Sequence, residues 1–261
     1  METDKNKVGK YEFLAEPFHC DFSHRLFMGH LGNHLLNAAD FHSSHRGFGM
    51  PYLNPLHKTW VLSRLAIEMD EMPLQYSTFA VETWVESAMR YFTNRNFRIV
   101  DTDDDSHVYG YGRSVWAMID TQTRRPQNIM EIRNGEIMKY VDADRHCAAG
   151  ALSRVRISDD ARLVRTIDTH YGDVDVNGHI NSVKYIEHVL DLFPLSRYKE
   201  YAVRRIDVAY VAESYYGDKL SFYVEQLSEE DFLVRVTRHR EDETGETETC
   251  RCGIKFVKDC K

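Results

Sequence analysis

The chain has little that would staple it or anchor it. Its 261 residues include only five cysteines: Cys20, Cys147, Cys250, Cys252 and Cys260. The number is odd and no pairs stand at zinc spacing, so free thiols in a reducing compartment are expected rather than a disulfide framework. Cys250 and Cys252 lie two apart in a strand-like stretch and share a face, a weak metal signal without a second pair. No uninterrupted apolar run approaches the ~20 residues of a membrane span. The opening segment, Met1-Glu2-Thr3-Asp4-Lys5-Asn6-Lys7, is polar and lacks a signal-peptide core, so a cytoplasmic location is the expectation. Positive charge is also scarce: 33 Lys and Arg stand against 41 Asp and Glu, a net charge of −8. A nucleic-acid binder would normally present a basic face, so that class is disfavoured.

What is present is an ordinary core-forming composition, 43% hydrophobic and 28% charged, in a chain long enough for one large domain or two average ones. The order of elements suggests a divergent duplication. Gly29-His30-Leu31-Gly32-Asn33 comes before a helical stretch to about Arg46, and Gly178-His179-Ile180-Asn181 before another to about Leu192. Strand-like runs follow each helix, near 60–68, 78–87, 92–101 and 107–120 in the first half. In the second half they fall near 203–211, 219–227, 231–239 and 247–257. Phe79, Val81, Thr83 and Val85 alternate onto one face. Hairpin signals at Asp103-Asp104-Asp105-Ser106 and Glu241-Asp242-Glu243-Thr244-Gly245 separate the last two runs of each half. A long helix followed by antiparallel strands, twice, is an α+β arrangement. Asn134-Gly135, the small-residue run Ala148-Ala149-Gly150-Ala151 and poor periodicity place a linker at 136–158.

The densest chemistry lies in Asp173-Val174-Asp175-Val176-Asn177-Gly178-His179-Ile180-Asn181-Ser182-Val183-Lys184-Tyr185. Carboxylate, carboxamide and imidazole crowd into a turn, and Asn-Gly favours positive φ there. Ile180, Val183, Ile186, Val189 or Leu190, and Phe193 then recur at spacings of three and four, the buried face of a helix. The polar cluster is thus expected at a helix N-terminus, where orphan N–H groups and the macrodipole favour developing negative charge. Asp, Asn and Gly before a helix also serve as plain turn and capping residues.

This segment resembles the plant-type and bacterial acyl-acyl carrier protein thioesterases, which share a pattern of the form Asp-x-Asn-x-His-x-Asn-x-x-Lys-Tyr. Here it reads Asp175-Val-Asn177-Gly-His179-Ile-Asn181-Ser-Val-Lys184-Tyr185. Further matches follow in the same order along the chain. Leu56-His57-Lys58-Thr59-Trp60-Val61 is similar to the family's opening strand after the first helix, and Val81-Glu82-Thr83-Trp84 to its Glu-Thr-Trp strand. Ser114-Val115-Trp116-Ala117-Met118 and Asp120-Thr121-Gln122-Thr123-Arg124-Arg125-Pro126 match the strand and hairpin that close its first half. The resemblance covers about 18–257. It implies two tandem hotdog folds, each a long helix wrapped by antiparallel sheet, packed as a pseudo-dimer. Residues 1–135 would bind the acyl chain and 159–261 would be catalytic.

The implied reaction is hydrolysis of a fatty acyl-acyl carrier protein thioester to free fatty acid and carrier thiol, with no metal or organic cofactor. It requires an activated water, a polarised carbonyl and a stabilised oxyanion. Amides near His179 and Ile180 are expected to hold the carbonyl oxygen. Asn177 would orient water or substrate, His179 would donate a hydrogen bond or shuttle a proton, and Asp175 would orient the imidazole. The family's downstream Glu aligns with Glu213, the expected general base. Plant members often carry Cys after that Glu; this chain has Ser214, so a cysteine nucleophile cannot act there. The first repeat, Phe27-Met28-Gly29-His30, keeps the His without Asp-x-Asn. His34, His42 and His45 lie near one helical face, but no acidic partner has matching spacing and no metal is expected there.

The implied partner, an acyl carrier protein, is acidic, so docking against a net-negative chain needs a local basic patch. The candidates are Arg124, Arg125, Lys184, Arg204 and Arg205. A homodimer is left open. The rival readings are an acyl-CoA thioesterase of the same fold, a hotdog dehydratase and a non-catalytic acyl-carrier-binding module. A dehydratase fits less well, because Asp-x-Asn-x-His with a downstream Glu suits water attack at a carbonyl.

Overall fold

The computed structural model describes residues 7–240 and 244–259. Cys260 and positions 241–243 of the expected second hairpin tip lie outside the described residues. The chain divides into two units, Met1–Ala151 and Leu152–Lys261.

In the first unit, β1 (Val8–Leu14) precedes α1 (Met28–His45) and the one-turn α2 (Met50–Leu53). Strands β2 (Lys58–Met69), β3 (Thr78–Ala88), β4 (Phe92–Asp101) and β5 (Val108–Asp120) follow. They form an antiparallel sheet in the order β1-β3-β4-β5-β2. Met28, Leu31, Leu35, Ala38, Ala39 and His42 make the buried face of α1, at the spacings of three and four that a helix needs to present one stripe. That stripe lies against β3 and β1.

The second unit repeats the plan. Strand β6 (Arg162–Asp168) precedes α3 (Ser182–Leu190), and β7 (Tyr201–Tyr210), β8 (Lys219–Gln226), β9 (Asp231–His239) and β10 (Thr247–Lys258) follow. The order is β6-β8-β9-β10-β7, again antiparallel. In both units the first strand pairs with the third and the second with the fifth. A shared order of this kind is what a duplication leaves behind, and the α+β, tandem-hotdog expectation holds. The eight expected strands are all present. Strands β1 and β6, which open each repeat, were not expected. Arg162, Leu163, Val164 and Arg165 of β6 are exposed, so no buried alternation marks that strand in the sequence.

Two local readings differ. Helix α3 starts at Ser182, beyond Ile180, which the spacing placed on its buried face, because Asn181 caps it: its Oδ1 accepts the Val183 amide at 2.9 Å. A cap of this kind is worth about 1 kcal/mol. The 136–158 stretch is not a bare connector along its first half. Ile137 and Tyr140 join a buried cluster with Phe48, Leu53, Met118, Ile129 and Ile132. Cys147 and Ala149 cover Trp84, over whose ring Arg145 also lies at 4.9 Å. The outer face of β3 is thereby buried by a segment with no helical or strand period, which is why periodicity gave no sign of it.

Candidate active site

The turn that precedes α3 is held from within. Asp175 Oδ1 accepts the amides of Asn177 at 2.8 Å and His179 at 3.2 Å. The Asp175 amide donates to the His179 carbonyl, and the Gly178 amide to the Asp175 carbonyl. Gly178 takes φ of +81°, the conformation that the Asn-Gly pair anticipates. Asp175 is therefore an Asx-turn residue whose carboxylate shapes the loop that carries His179, and no contact places it on the imidazole.

The Ile180 amide donates to the Ser214 carbonyl at 2.8 Å, and the Asn181 amide to the Asp173 carbonyl at 2.8 Å. The amides of Asn177, Gly178, His179, Ile180 and Asn181 are thus all committed to the protein. This corrects the expectation that His179 and Ile180 amides hold a carbonyl oxygen. They were assigned to a helix N-terminus, but α3 begins beyond them and the turn consumes them.

The backbone bond from Ile180 to Ser214 brings the preceding residues of each segment together. His179 Nδ1 stands 3.5 Å from Glu213 Oε1, with both side chains about a quarter exposed. That is an ion-pair distance, longer than a good hydrogen bond. Tyr215 completes the group: its hydroxyl donates to Glu213 Oε2 at 3.2 Å, and its ring meets the imidazole edge-on at 5.1 Å. Asn177 is exposed on the same turn. Of the four expected site residues, Glu213 and His179 are thus brought together, Asp175 holds the turn through its amides, and Asn177 is exposed on that turn.

The surrounding frame is buried and polar. Tyr185 on α3 donates its hydroxyl to Ser214 Oγ at 2.8 Å, both residues being buried. Ser214 is 1% exposed, so it presents no hydroxyl to a substrate. Asp218 accepts the Tyr215 amide and a bidentate pair of bonds from Arg240, whose guanidinium also lies over the Tyr215 ring at 4.6 Å. Asp173 accepts from the His170 amide and pairs with His188 Nε2 at 3.1 Å. Sequence reading missed Tyr215, Tyr185 and the Asp173–His188 pair. A signal existed for Tyr215, since residues two apart in extended chain point to the same side and Tyr215 follows Glu213 by two.

In the first repeat, His30 lies in the first turn of α1. His30 stacks on His19 at 4.2 Å, and His19 pairs with Glu16. The three helical histidines are each engaged separately. His34 packs against Phe13 and Phe79, His42 Nε2 meets the Lys7 carbonyl, and His45 Nδ1 meets the Tyr11 hydroxyl. Burial pushes His34 down to about 4 and His42 to about 2, as expected for imidazoles kept neutral inside the fold. Among the described residues no group of three or more His, Cys, Asp or Glu converges as a metal site.

The docking candidates differ in what holds them. Arg204 and Arg205 are neighbours on β7, where the pairing with β10 shifts register and skips Arg204. Arg205 makes a two-point pair with Asp207, at 2.6 and 2.8 Å, and Lys184 pairs with Glu187 at 2.6 Å. Arg124 and Arg125 sit on the exposed turn after β5, where Arg124 has φ of +60°.

Residues 6–136 match the acyl-ACP thioesterase N-terminal domain and residues 157–258 the acyl-ACP thioesterase C-terminal domain. The chain belongs to the acyl-ACP thioesterase family. It is 49% identical to an acyl-ACP thioesterase from Bacteroides thetaiotaomicron, with a TM-score of 0.88 over 98% of this chain and 100% of that one. A 12:0-ACP thioesterase from Umbellularia californica shares the fold at a TM-score of 0.84 and 19% identity, over 97% of this chain and 98% of that one. Among curated relatives, the chloroplastic palmitoyl-acyl carrier protein thioesterase of Gossypium hirsutum is 27% identical over 70% of this chain. The chain spans about half the length of the curated relatives it matches, 46% in that case. No helix among the described residues is long and apolar enough to cross a membrane, which says nothing of a β-barrel.

Proposed function

We propose that this protein hydrolyses fatty acyl-acyl carrier protein thioesters, releasing free fatty acid and carrier thiol. The observation that carries the reading is the His179–Glu213 pair on the family's motif turn. Glu213 takes a proton from the attacking water. With Nδ1 turned to Glu213, Nε2 is the ring atom left for the substrate, and through it His179 passes a proton to the departing sulfur. Asn177, exposed on the turn, offers its carboxamide to the thioester carbonyl. Asp175 keeps the loop in shape. The acyl tail is assigned to the first unit, whose Gly29-His30 segment lacks the Asp-x-Asn that precedes His179.

The substrate would reach the site on an acidic carrier, and the exposed Arg124–Arg125 turn is the proposed docking site. The cytoplasm is the proposed compartment, supported by free thiols at Cys20, Cys147, Cys250 and Cys252. The test is release of fatty acid from carrier-bound and CoA-bound acyl chains of graded length, run in parallel. Turnover of the carrier-bound series with weaker turnover of the CoA series is expected. Absence of release from either series overturns the reading.

A further inference from the structure

We propose that Tyr185 is a positioning residue of the hydrolytic site, whose hydroxyl clamps Ser214 so that Glu213 is held against His179. The inference rests on the reading of His179 and Glu213 as the reacting pair, and it gives position 214 a role other than nucleophile.

Glu213 follows the end of β7, on a stretch that has left the sheet, and its carboxylate meets His179 and Tyr215. Two contacts on the next residue, Ser214, locate its backbone. The Ser214 carbonyl accepts the Ile180 amide at 2.8 Å, which ties the strand end to the motif turn. Its hydroxyl accepts from Tyr185 at 2.8 Å, which ties the strand end to α3. The turn runs straight into the helix, because Asn181 both caps α3 and donates its amide to the Asp173 carbonyl. Ser214 is therefore held at two points by a single body, and Glu213 precedes it by one residue.

The donor is suited to this work. Tyr185 is 3% exposed, and its ring meets Tyr210 edge-on at 6.0 Å. Burial pushes its hydroxyl up to about 12, so it stays protonated across any working pH. Tyr210 in turn donates to the Ser182 carbonyl at 2.8 Å, on the first residue of the same helix. The amides of Val211 and Ala212 both turn to the Thr249 carbonyl, which leads the chain toward this clamp. A hydroxyl at position 214 is required here as an acceptor, and at 1% exposure it has no route to attack a thioester.

The experiment is steady-state hydrolysis of a carrier-bound acyl thioester by Tyr185→Phe, Ser214→Ala and their combination, each also in a Glu213→Gln background, with thermal melts alongside. A displacement of about 1 Å at a reacting group costs up to about 10²-fold. Each single change should lower kcat about tenfold and leave KM within about twofold, and the combination should be no worse than the larger single loss. In the Glu213→Gln background Tyr185→Phe should have no further effect on kcat, because the group it positions no longer acts. A lowered melting temperature without that kinetic pattern would mark a structural residue and overturn the proposal. So would full kcat in Ser214→Ala, which carries the test alone if Tyr185→Phe does not fold. If Glu213→Gln and His179→Ala are themselves fully active, the reading of the site fails. If those two are impaired while Tyr185→Phe and Ser214→Ala are not, only the clamp fails.

Discussion

His179 Nδ1 and Glu213 Oε1 stand 3.5 Å apart although 34 positions separate them in the chain. A backbone bond from Ile180 to Ser214 ties the two segments together beside them. The contact lies between good hydrogen-bond length and separation, and such pairs tighten when substrate excludes water.

Replacement of either partner should therefore act on the chemical step. Glu213→Gln and His179→Ala are expected to lower kcat by roughly 10²-fold, the usual scale for a positioned acid–base group. His30→Ala, on a turn where histidine stacks on histidine, should do much less. Steady-state kinetics with a carrier-bound thioester decide it, and near-normal turnover by Glu213→Gln would remove that residue as the base.

Asp175 should separate two substitutions that a direct catalytic role would not. Its Oδ1 accepts two amides, so Asp175→Asn keeps the acceptor and should retain most activity. Asp175→Ala loses it, loosens the loop and should lower kcat about tenfold or more. Equal, large losses in both variants would instead indicate that the negative charge itself takes part.

Charge reversal should distinguish the arginines. Arg205→Glu leaves the buried Asp207 without its two-point partner, and should cost about 3 kcal/mol in urea unfolding whatever the substrate. Arg124→Glu and Arg125→Glu should leave stability unchanged, raise KM for carrier-bound substrate and spare small thioesters. That difference should shrink at high salt, because exposed charges are screened. Equal losses on both substrates would show that the turn is structural.

Acid should destabilise the first unit through His34. Its folded value, about 4, lies below the ordinary 6.5, so the unfolded chain binds the proton more readily. Stability is fully present above about 6.5 and is lost as pH falls toward 4. His34→Phe, beside Phe13 and Phe79, should flatten that acid limb in melts at pH 7 and pH 5. An unchanged slope would place the acid sensitivity elsewhere.

Thiol alkylation should leave turnover intact. Cys147, Cys250 and Cys252 are buried, and burial raises the Cys20, Cys147 and Cys250 thiols above their ordinary value, so little thiolate is present near neutral pH. Complete inactivation by iodoacetamide, prevented by substrate, would contradict attack by water.

The sequence by itself determined the parts whose physics is local. Strand-like runs marked eight of the ten described strands, spacings of three and four marked the buried stripe of α3, and the Asn177-Gly178 pair marked a turn with positive φ. The resemblance added the family and pointed to His179 and Glu213. Tertiary structure decided what each polar atom meets. Asp175 looked like a partner for imidazole and proved to be a partner for amides. His179 and Ile180 looked like a helix start, but Asn181 moved the start onward and the turn used their N–H groups. Arg205 looked like surface charge and found Asp207 two residues along its own strand face. Periodicity states which side of an element faces the core, because that follows from backbone geometry alone. The partner across the gap is set by register, by where a strand ends and by which loop lies over it, and those depend on residues far away in the chain.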